Sequence, residues 1–122
     1  MNKAGFHILR VGVAITFLWI GILIFRDPVG WGSYLQPWAA KLLFVPIKEA
    51  MIGTAILDIV VGGWLLFVDR FMWIAAALAS AHLIIVLVTS GITDITVRDI
   101  GLLAATVALL VETLPFRVFG DK

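Results

Sequence analysis

Two ionisable residues stand inside long apolar stretches of this sequence. Asp58 is the charged residue of the stretch from about 50 to 68, and His82 interrupts the stretch from 71 to 90. An ionisable group at membrane depth costs at least about 2.5–3.5 kcal/mol, so it usually faces the protein interior and has a partner. Each residue lies about 16 Å along its helix from the turn at 69–70, at 1.5 Å per residue. We therefore expect Asp58 and His82 to lie level on neighbouring antiparallel helices and to form a hydrogen bond.

Two interpretations of this pair stay open. In the functional one, Asp58 and His82 handle protons or orient a ligand such as a quinone, whose carbonyl oxygens need hydrogen-bond donors in an apolar cavity. Trp19 and Trp64 are candidates to line that cavity. In the structural one, the pair is a polar clip that fixes the register of two helices.

Arg10 and Glu112 are predicted to form an ion pair near one end of the helices. Arg10 lies about one turn inside the first apolar stretch, and Glu112 lies near the end of the last one. The alternative is that both side chains extend separately to the lipid headgroups. Arg10 is also a further candidate for orienting a quinone or relaying protons.

The composition restricts the chemistry that is available. The 122 residues include no cysteine, which excludes disulfides, thiolate metal sites, iron–sulfur clusters and a thiol nucleophile. His7 and His82 lie at different depths and do not flank a haem, and no set of residues has metal-ligand spacing. The formal net charge of +1 offers no basic surface for nucleic acid. We therefore predict no metal site and no nucleic-acid partner.

Four long apolar stretches must position these residues. Hydrophobic residues make up 62% of the chain and the mean hydropathy is +1.12, which is far above the usage of soluble domains. A helix needs about 20 apolar residues to cross a bilayer, and lipid offers no hydrogen-bond partners to an open backbone. The sequence therefore predicts a single domain over residues 1–122 that is an all-α integral membrane four-helix bundle. Its helices are predicted at about 6–25, 50–68, 71–90 and 100–114.

The first two predicted helices are joined by an aromatic segment. Three prolines between residues 26 and 48 rule out a single long helix there. Trp31, Tyr34 and Trp38 are predicted to be interfacial anchors, because Trp and Tyr side chains prefer the headgroup level. The alternative is that this segment forms a lid over a cavity that opens on the same face.

Four crossings would place both termini and the turn at 69–70 on the same side of the membrane. Cytoplasmic loops carry an excess of Lys and Arg. The terminal side has five of these residues and the other side has four. We therefore predict a multi-pass protein of the cell (cytoplasmic or inner) membrane with both termini in the cytoplasm. The two groups are Lys3, Arg10, Arg70, Arg117 and Lys122 on the terminal side, and Arg26, Lys41, Lys48 and Arg98 on the other.

Small residues on the third helix are predicted to mediate helix packing. Ala75 and Ala79 lie four residues apart, and His82 follows three residues later on the same face. In lipid, small residues let two helix backbones approach closely. We expect this face to pack against a neighbouring helix.

A sequence motif opens the last predicted helix. It reads Val97-Arg98-Asp99-Ile100-Gly101 and follows Asp94, and it places Asp99 where a helix N-terminus favours an anion. Together with Arg10 and the run Phe17-Leu18-Trp19-Ile20-Gly21 in the first helix, this motif resembles the DoxX-like family of small four-helix membrane proteins. The resemblance covers nearly the whole chain.

The resemblance implies membrane work that is linked to redox chemistry. Founding members of the family are associated with a thiosulfate:quinone oxidoreductase, and other relatives are linked to membrane redox complexes and oxidative-stress resistance. Asp58 matches the acidic residue that the family has in its second helix. A thiol mechanism cannot operate inside this chain, because the chain has no cysteine.

The sequence supports three functional hypotheses. The first is a quinone-proximal accessory subunit of a membrane oxidoreductase, which requires an apolar cavity with Asp58 or His82 on its wall. The second is a non-catalytic scaffold or assembly protein whose buried charges only lock the bundle. The third is a proton or small-solute pathway, for which so small a bundle would need to oligomerise. The expected partners are the lipid bilayer and either other membrane subunits or further copies of this chain, and whether the chain is an enzyme is left open.

Overall fold

The described part of the chain is helical apart from its connecting loops. A computed structural model describes residues 2–115, and no strand occurs among them. In this range α1, α4 and α5 are long and apolar enough to cross a membrane, so three of the four predicted spans meet that requirement. The all-α prediction is confirmed. The helices are α1 (Lys3–Arg26), α2 (Pro28–Gly32), α3 (Pro37–Ala40), α4 (Ile47–Phe67), α5 (Met72–Ser90) and α6 (Val97–Thr113).

The helix boundaries differ from the predicted ones by up to three residues, and side-chain hydrogen bonds lie at the start of α1 and just before α6. At the start of α1, the side chain of Asn2 accepts a hydrogen bond of 2.7 Å from the backbone N–H of Gly5. Before α6, the N–H of Thr93 donates to Oγ1 of Thr96 at 2.7 Å, and the N–H of Thr96 donates to Oγ1 of Thr93 at 3.1 Å. Both helices therefore begin one turn earlier than their apolar stretches do.

The closest packing in the fold is between α1 and α4. A methyl group added at Gly62 would lie 2.9 Å from the carbonyl oxygen of Ala14, and one at Gly21 would lie 3.0 Å from that of Ala55. Ala14 and Gly21 are seven residues apart, as are Ala55 and Gly62, so the small residues of the two antiparallel helices meet twice. This contact uses the close backbone approach that favours association in lipid. The sequence analysis did not predict it.

Helix α5 packs against α6 through small and hydroxyl side chains. Ala75 and Ala79 are completely buried, which confirms the predicted packing face. Beside them, Oγ of Ser80 donates to Oγ1 of Thr106 at 2.9 Å, and both side chains are buried. A hydroxyl pair of this kind satisfies two polar groups that have no water to bind.

The packed core lies in one half of the bundle. We call its two ends the turn end, where residues 68–71 join α4 to α5, and the connector end, where residues 27–46 (the connector segment) join α1 to α4. The buried core side chains concentrate towards the turn end, and a cavity occupies much of the space towards the connector end. The core consists of Val13, Ala14, Phe17, Val61, Leu65, Met72, Ala75, Ala76, Ala79, Leu83 and Leu109.

The connector segment contains two short helices instead of one long one, as its prolines predict. Both α2 and α3 begin at a proline, where the missing N–H would have no helical partner. Between them, the N–H of Gln36 donates to the carbonyl oxygen of Thr89 at 2.9 Å, which ties the segment to the last turn of α5. Gly91 ends α5 with a φ of 72°, and a methyl group there would lie 2.4 Å from Nε2 of Gln36. The positive φ favours glycine at this position, while the end of the flexible Gln36 side chain could move to admit a methyl group.

Candidate functional site

Asp58 and His82 meet inside the bundle. Nε2 of His82 lies 3.3 Å from Oδ1 of Asp58, and the two side chains are 14% and 3% exposed. The prediction of level positions and a hydrogen bond, made from equal distances to the turn, is confirmed for this contact.

The neighbours of Asp58 hold it in place. Ala55, one turn earlier on α4, is completely buried against α1. A methyl group at Gly21 would lie 3.3 Å from Cβ of Asp58, so α1 passes directly beside the aspartate. On α5, Leu83 follows His82 and is buried in the core. The pair therefore sits at the point where the packed half of the bundle ends.

A cavity of about 790 Å³ that is partly open to the surface extends from the Asp58–His82 pair to the connector segment. The volume falls within the range of about 300–1,000 Å³ that is typical of ligand pockets. The wall is mainly apolar, and its side chains come from α1, α4, α5, α6 and the connector segment. Representative apolar wall residues are Phe17, Ile20, Ile24, Met51, Val86 and Leu102.

The predicted interfacial aromatic residues divide between the wall and the surface. Trp31 and Tyr34 lie on the cavity wall, with their ring centroids 6.0 Å apart. Trp38 is exposed and donates from Nε1 to Oε1 of Gln36 at 2.8 Å. The connector segment thus covers the cavity with two of the three aromatic side chains and presents the third outward.

Trp19 and Trp64 do not line the cavity, so that expectation is wrong. Trp19 is 66% exposed on the outer face of α1. Nε1 of Trp64 donates to the carbonyl oxygen of Arg70 at 2.9 Å, which places it at the turn end. Because these helices are apolar on every face, their sequence does not show which tryptophan points inward.

The motif that opens α6 contributes two charged side chains to the cavity wall. Arg98 and Asp99 both line the cavity, while Asp94 is exposed and lies off the wall. Asp99 is partly buried in the first turn of the helix and interacts electrostatically with both His82 and Asp58. The structure therefore places Asp99 on the same cavity wall as the predicted pair.

Arg10 lies in the other half of the bundle, and the structure does not bring it to the cavity. Its Nη1 donates to the carbonyl oxygens of Leu65 and Leu66 at 2.8 and 3.0 Å. These carbonyls belong to the last turn of α4, where a helix has no internal donors for them. Arg10 is thus a C-terminal cap of α4, and its candidate role beside a quinone is wrong for this arrangement. The ion pair of Arg10 with Glu112 stays a prediction.

The sequence analysis missed the Ser and Thr hydroxyl groups on the wall, which belong to Thr16, Thr54, Thr89, Ser90 and Thr96. Thr16 donates to the carbonyl oxygen of Gly12 at 2.8 Å, and Thr54 donates to that of Ala50 at 3.1 Å. Each oxygen keeps free lone pairs that can accept a hydrogen bond. Thr54 stands four residues before Asp58, and this spacing puts both on one helix face, so the signal was present in the sequence.

The arrangement can bind an apolar molecule and hydrogen-bond its polar group at the inner end. Within residues 2–115, no group of three or more His, Asp or Glu side chains is placed to hold a metal ion.

No protein-family model, curated protein or solved structure matches this chain.

Proposed function

We propose that this chain is a small integral membrane protein of DoxX-like type that binds a quinone and serves a membrane oxidoreductase as an accessory subunit. One observation carries the proposal. A mainly apolar cavity of about 790 Å³ ends at a buried carboxyl and imidazole that are hydrogen-bonded to each other. A cavity of this kind is costly to keep in so small a bundle, because its wall side chains lose packing partners.

The chemistry of the cavity fits a quinone. A quinone has a flat apolar ring, two carbonyl acceptors and often a long hydrocarbon tail. The second ring nitrogen of His82, which Asp58 does not contact, supplies a donor at the inner end when the ring is protonated, and aromatic and aliphatic side chains surround the quinone ring. The connector segment, with Trp31 and Tyr34 on the wall, lies where the tail would leave towards lipid.

We also propose that α6 is a fourth crossing and that both termini lie in the cytoplasm. With 17 residues, α6 is about 26 Å long, slightly less than a typical hydrocarbon layer of roughly 30 Å. A short span is accommodated by local thinning of the bilayer at modest cost. The bias of Lys and Arg towards the terminal side supports this orientation.

The test is the lipid extract of the protein purified gently from its own membrane, combined with native mass spectrometry. We expect about one quinone per chain in the wild type and loss of that quinone in Asp58→Asn and His82→Gln. Ser80→Ala is the matched control, because it removes a buried interhelical hydrogen bond on α5 outside the cavity wall. Wild-type protein that carries bulk lipid and no quinone would contradict the proposal.

A non-catalytic scaffold is the second candidate. The observation that favours it is that the Asp58–His82 and Ser80–Thr106 contacts each join two helices, as purely structural clips do. A scaffold predicts that Asp58→Asn and Ser80→Ala both lower stability while any cellular redox phenotype persists. Loss of that phenotype at a normal level of the Asp58→Asn protein would exclude the scaffold.

A further inference from the structure

Asp99 has a position that the quinone proposal does not use. It lies on the cavity wall in the first turn of α6, while Asp58 and His82 come from α4 and α5. Its carboxyl interacts electrostatically with both members of the pair. Three ionisable groups from three helices therefore face the same apolar space.

The packed core closes the pair off from the turn end. Val61, Leu65 and Leu109 lie on that side, and each is at most 1% exposed. These side chains are packed closely, as side chains are in other protein interiors. On its other side the pair borders the cavity, which extends to the connector segment. We therefore place the route of a proton from water to the pair through the cavity.

The charged and titratable groups of the wall can be considered one element at a time. Within residues 2–115, α4 contributes Asp58, α5 contributes His82, α6 contributes Arg98 and Asp99, and the connector segment contributes Tyr34. The wall residues of α1 carry no ionisable group. The guanidinium of Arg98 has donors and no acceptor atom, so it does not relay a proton. Asp99 is the carboxyl group of the wall outside the pair, and a carboxyl group can both accept and release a proton.

We propose that Asp99 is the proton-transfer residue between the connector end and the Asp58–His82 pair. The O–H bond of the protonated Asp99 carboxyl breaks as an N–H bond forms on the second nitrogen of the His82 ring, with the proton passed through water in the cavity. The Asp99 carboxylate then takes a proton from water at the connector end, and the charge of the site is restored when His82 gives its extra proton to the bound molecule. Asp99 does not itself contact the bound molecule. It acts through His82 and is in that sense a positioning residue.

The purpose of this proton transfer rests on the proposed function. A quinone that takes two electrons from a partner oxidoreductase subunit also takes up two protons to become the hydroquinone, so the cavity needs a proton supply. The proton pathway itself is a property of this chain and can be measured without a quinone.

The experiment measures how fast the ring N–H proton of His82 exchanges with water. The protein is labelled with ¹⁵N-histidine in lipid nanodiscs, and the His82 signal is identified by its loss in His82→Gln. We expect Asp99→Asn to slow this exchange on the order of 100-fold, the lower end of what a positioned acid or base contributes. Asp99→Glu, which keeps the carboxyl group, should restore it, and the slowing should vary with pH as a carboxyl titrates. If Asp99→Asn does not fold, Asp99→Ser takes its place.

Asp94→Asn is the matched control, because Asp94 is an exposed acid of the same loop that lies off the cavity wall. Unchanged exchange in Asp99→Asn, or equal slowing in Asp94→Asn, would overturn the proposal. The outcome is separate from that of the proposed function. Slowed exchange in a protein that binds no quinone would leave Asp99 as a proton-transfer residue and remove the quinone, whereas normal exchange beside bound quinone would remove the role of Asp99 alone.

Discussion

At the scale of the residue, the Asp58–His82 contact joins α4 to α5 at the inner end of the cavity. Asp58 is almost fully buried, so it depends on this partner to satisfy its carboxyl group. His82 is slightly more exposed because one side of its ring borders the cavity. The contact can therefore hold the helices together and leave the second ring nitrogen of His82, once protonated, as a donor to a ligand.

The strength of this contact can be measured with a double-mutant cycle of Asp58→Asn and His82→Gln. We expect a coupling free energy of about 0.6–1.7 kcal/mol, the range found for hydrogen bonds between helices in membranes. The measurement is the free energy of unfolding in mixed micelles for the wild type, the two single variants and the double variant. A coupling energy of zero would show that the two side chains do not interact in the folded protein.

Counting residues was enough to predict this pair, because two helices joined by a tight turn keep equal depths on either side of it. Counting could not predict which tryptophans border the cavity. Trp19 faces outward although it lies in the middle of α1, since a helix that is apolar on all sides gives no signal of its inner face. Arg10 was misplaced for another reason, because its hydrogen bonds go to backbone carbonyls that any helix end provides.

At the scale of the element, the contact of α1 with α4 depends on two glycines, Gly21 and Gly62. Gly62 faces α1, and a methyl group there would lie 2.9 Å from both the carbonyl oxygen of Ala14 and the N–H nitrogen of Leu18. Gly63, the next residue, would meet nothing within 4 Å. Adjacent residues of the same type thus have opposite environments.

Gly62→Ala should destabilise the protein by about 1–3 kcal/mol, because backbone atoms must move to admit the methyl group. Gly63→Ala should be neutral or stabilise it by up to about 1 kcal/mol, since alanine favours helix over glycine. The measurement is again the free energy of unfolding in mixed micelles. Equal effects of the two substitutions would contradict the packing of α1 on α4.

The helices themselves follow closely from their apolar stretches, and their boundaries do not. The predicted starts of α1 and α6 are three residues late, because Asn2 and the Thr93–Thr96 hydrogen bonds add a polar first turn that hydropathy does not register. The two short helices of the connector segment follow from its prolines. Its attachment to α5 through Gln36 depends on tertiary structure and has no sequence pattern.

At the scale of the whole molecule, the chain has a packed half near the turn end and a hollow half near the connector end. The packed half stabilises the fold, and the hollow half provides the space for a ligand. The division could not be predicted from composition, because both halves are built from the same apolar residue types. It depends on alanines and glycines that bring the helices together towards the turn end.

The absence of cysteine makes the proposed topology directly testable with single-cysteine variants. Asn2→Cys and Asp69→Cys should react with a maleimide that cannot cross the membrane from the same side, and Ser33→Cys should react from the opposite side. All three positions are exposed. The measurement is labelling of intact spheroplasts compared with inverted vesicles. Labelling of Asn2→Cys and Asp69→Cys from opposite sides would contradict the arrangement.

The most direct test of the central claim, that the cavity binds a quinone, is to fill the cavity and count the quinone that copurifies. Ala105 lines the cavity, and its neighbour Ala104 is exposed on the outer face of α6. We predict that Ala105→Leu folds and loses the quinone, because the added side chain occupies ligand space, while Ala104→Leu keeps about one quinone per chain. Equal quinone content in the two variants would contradict a ligand in this cavity.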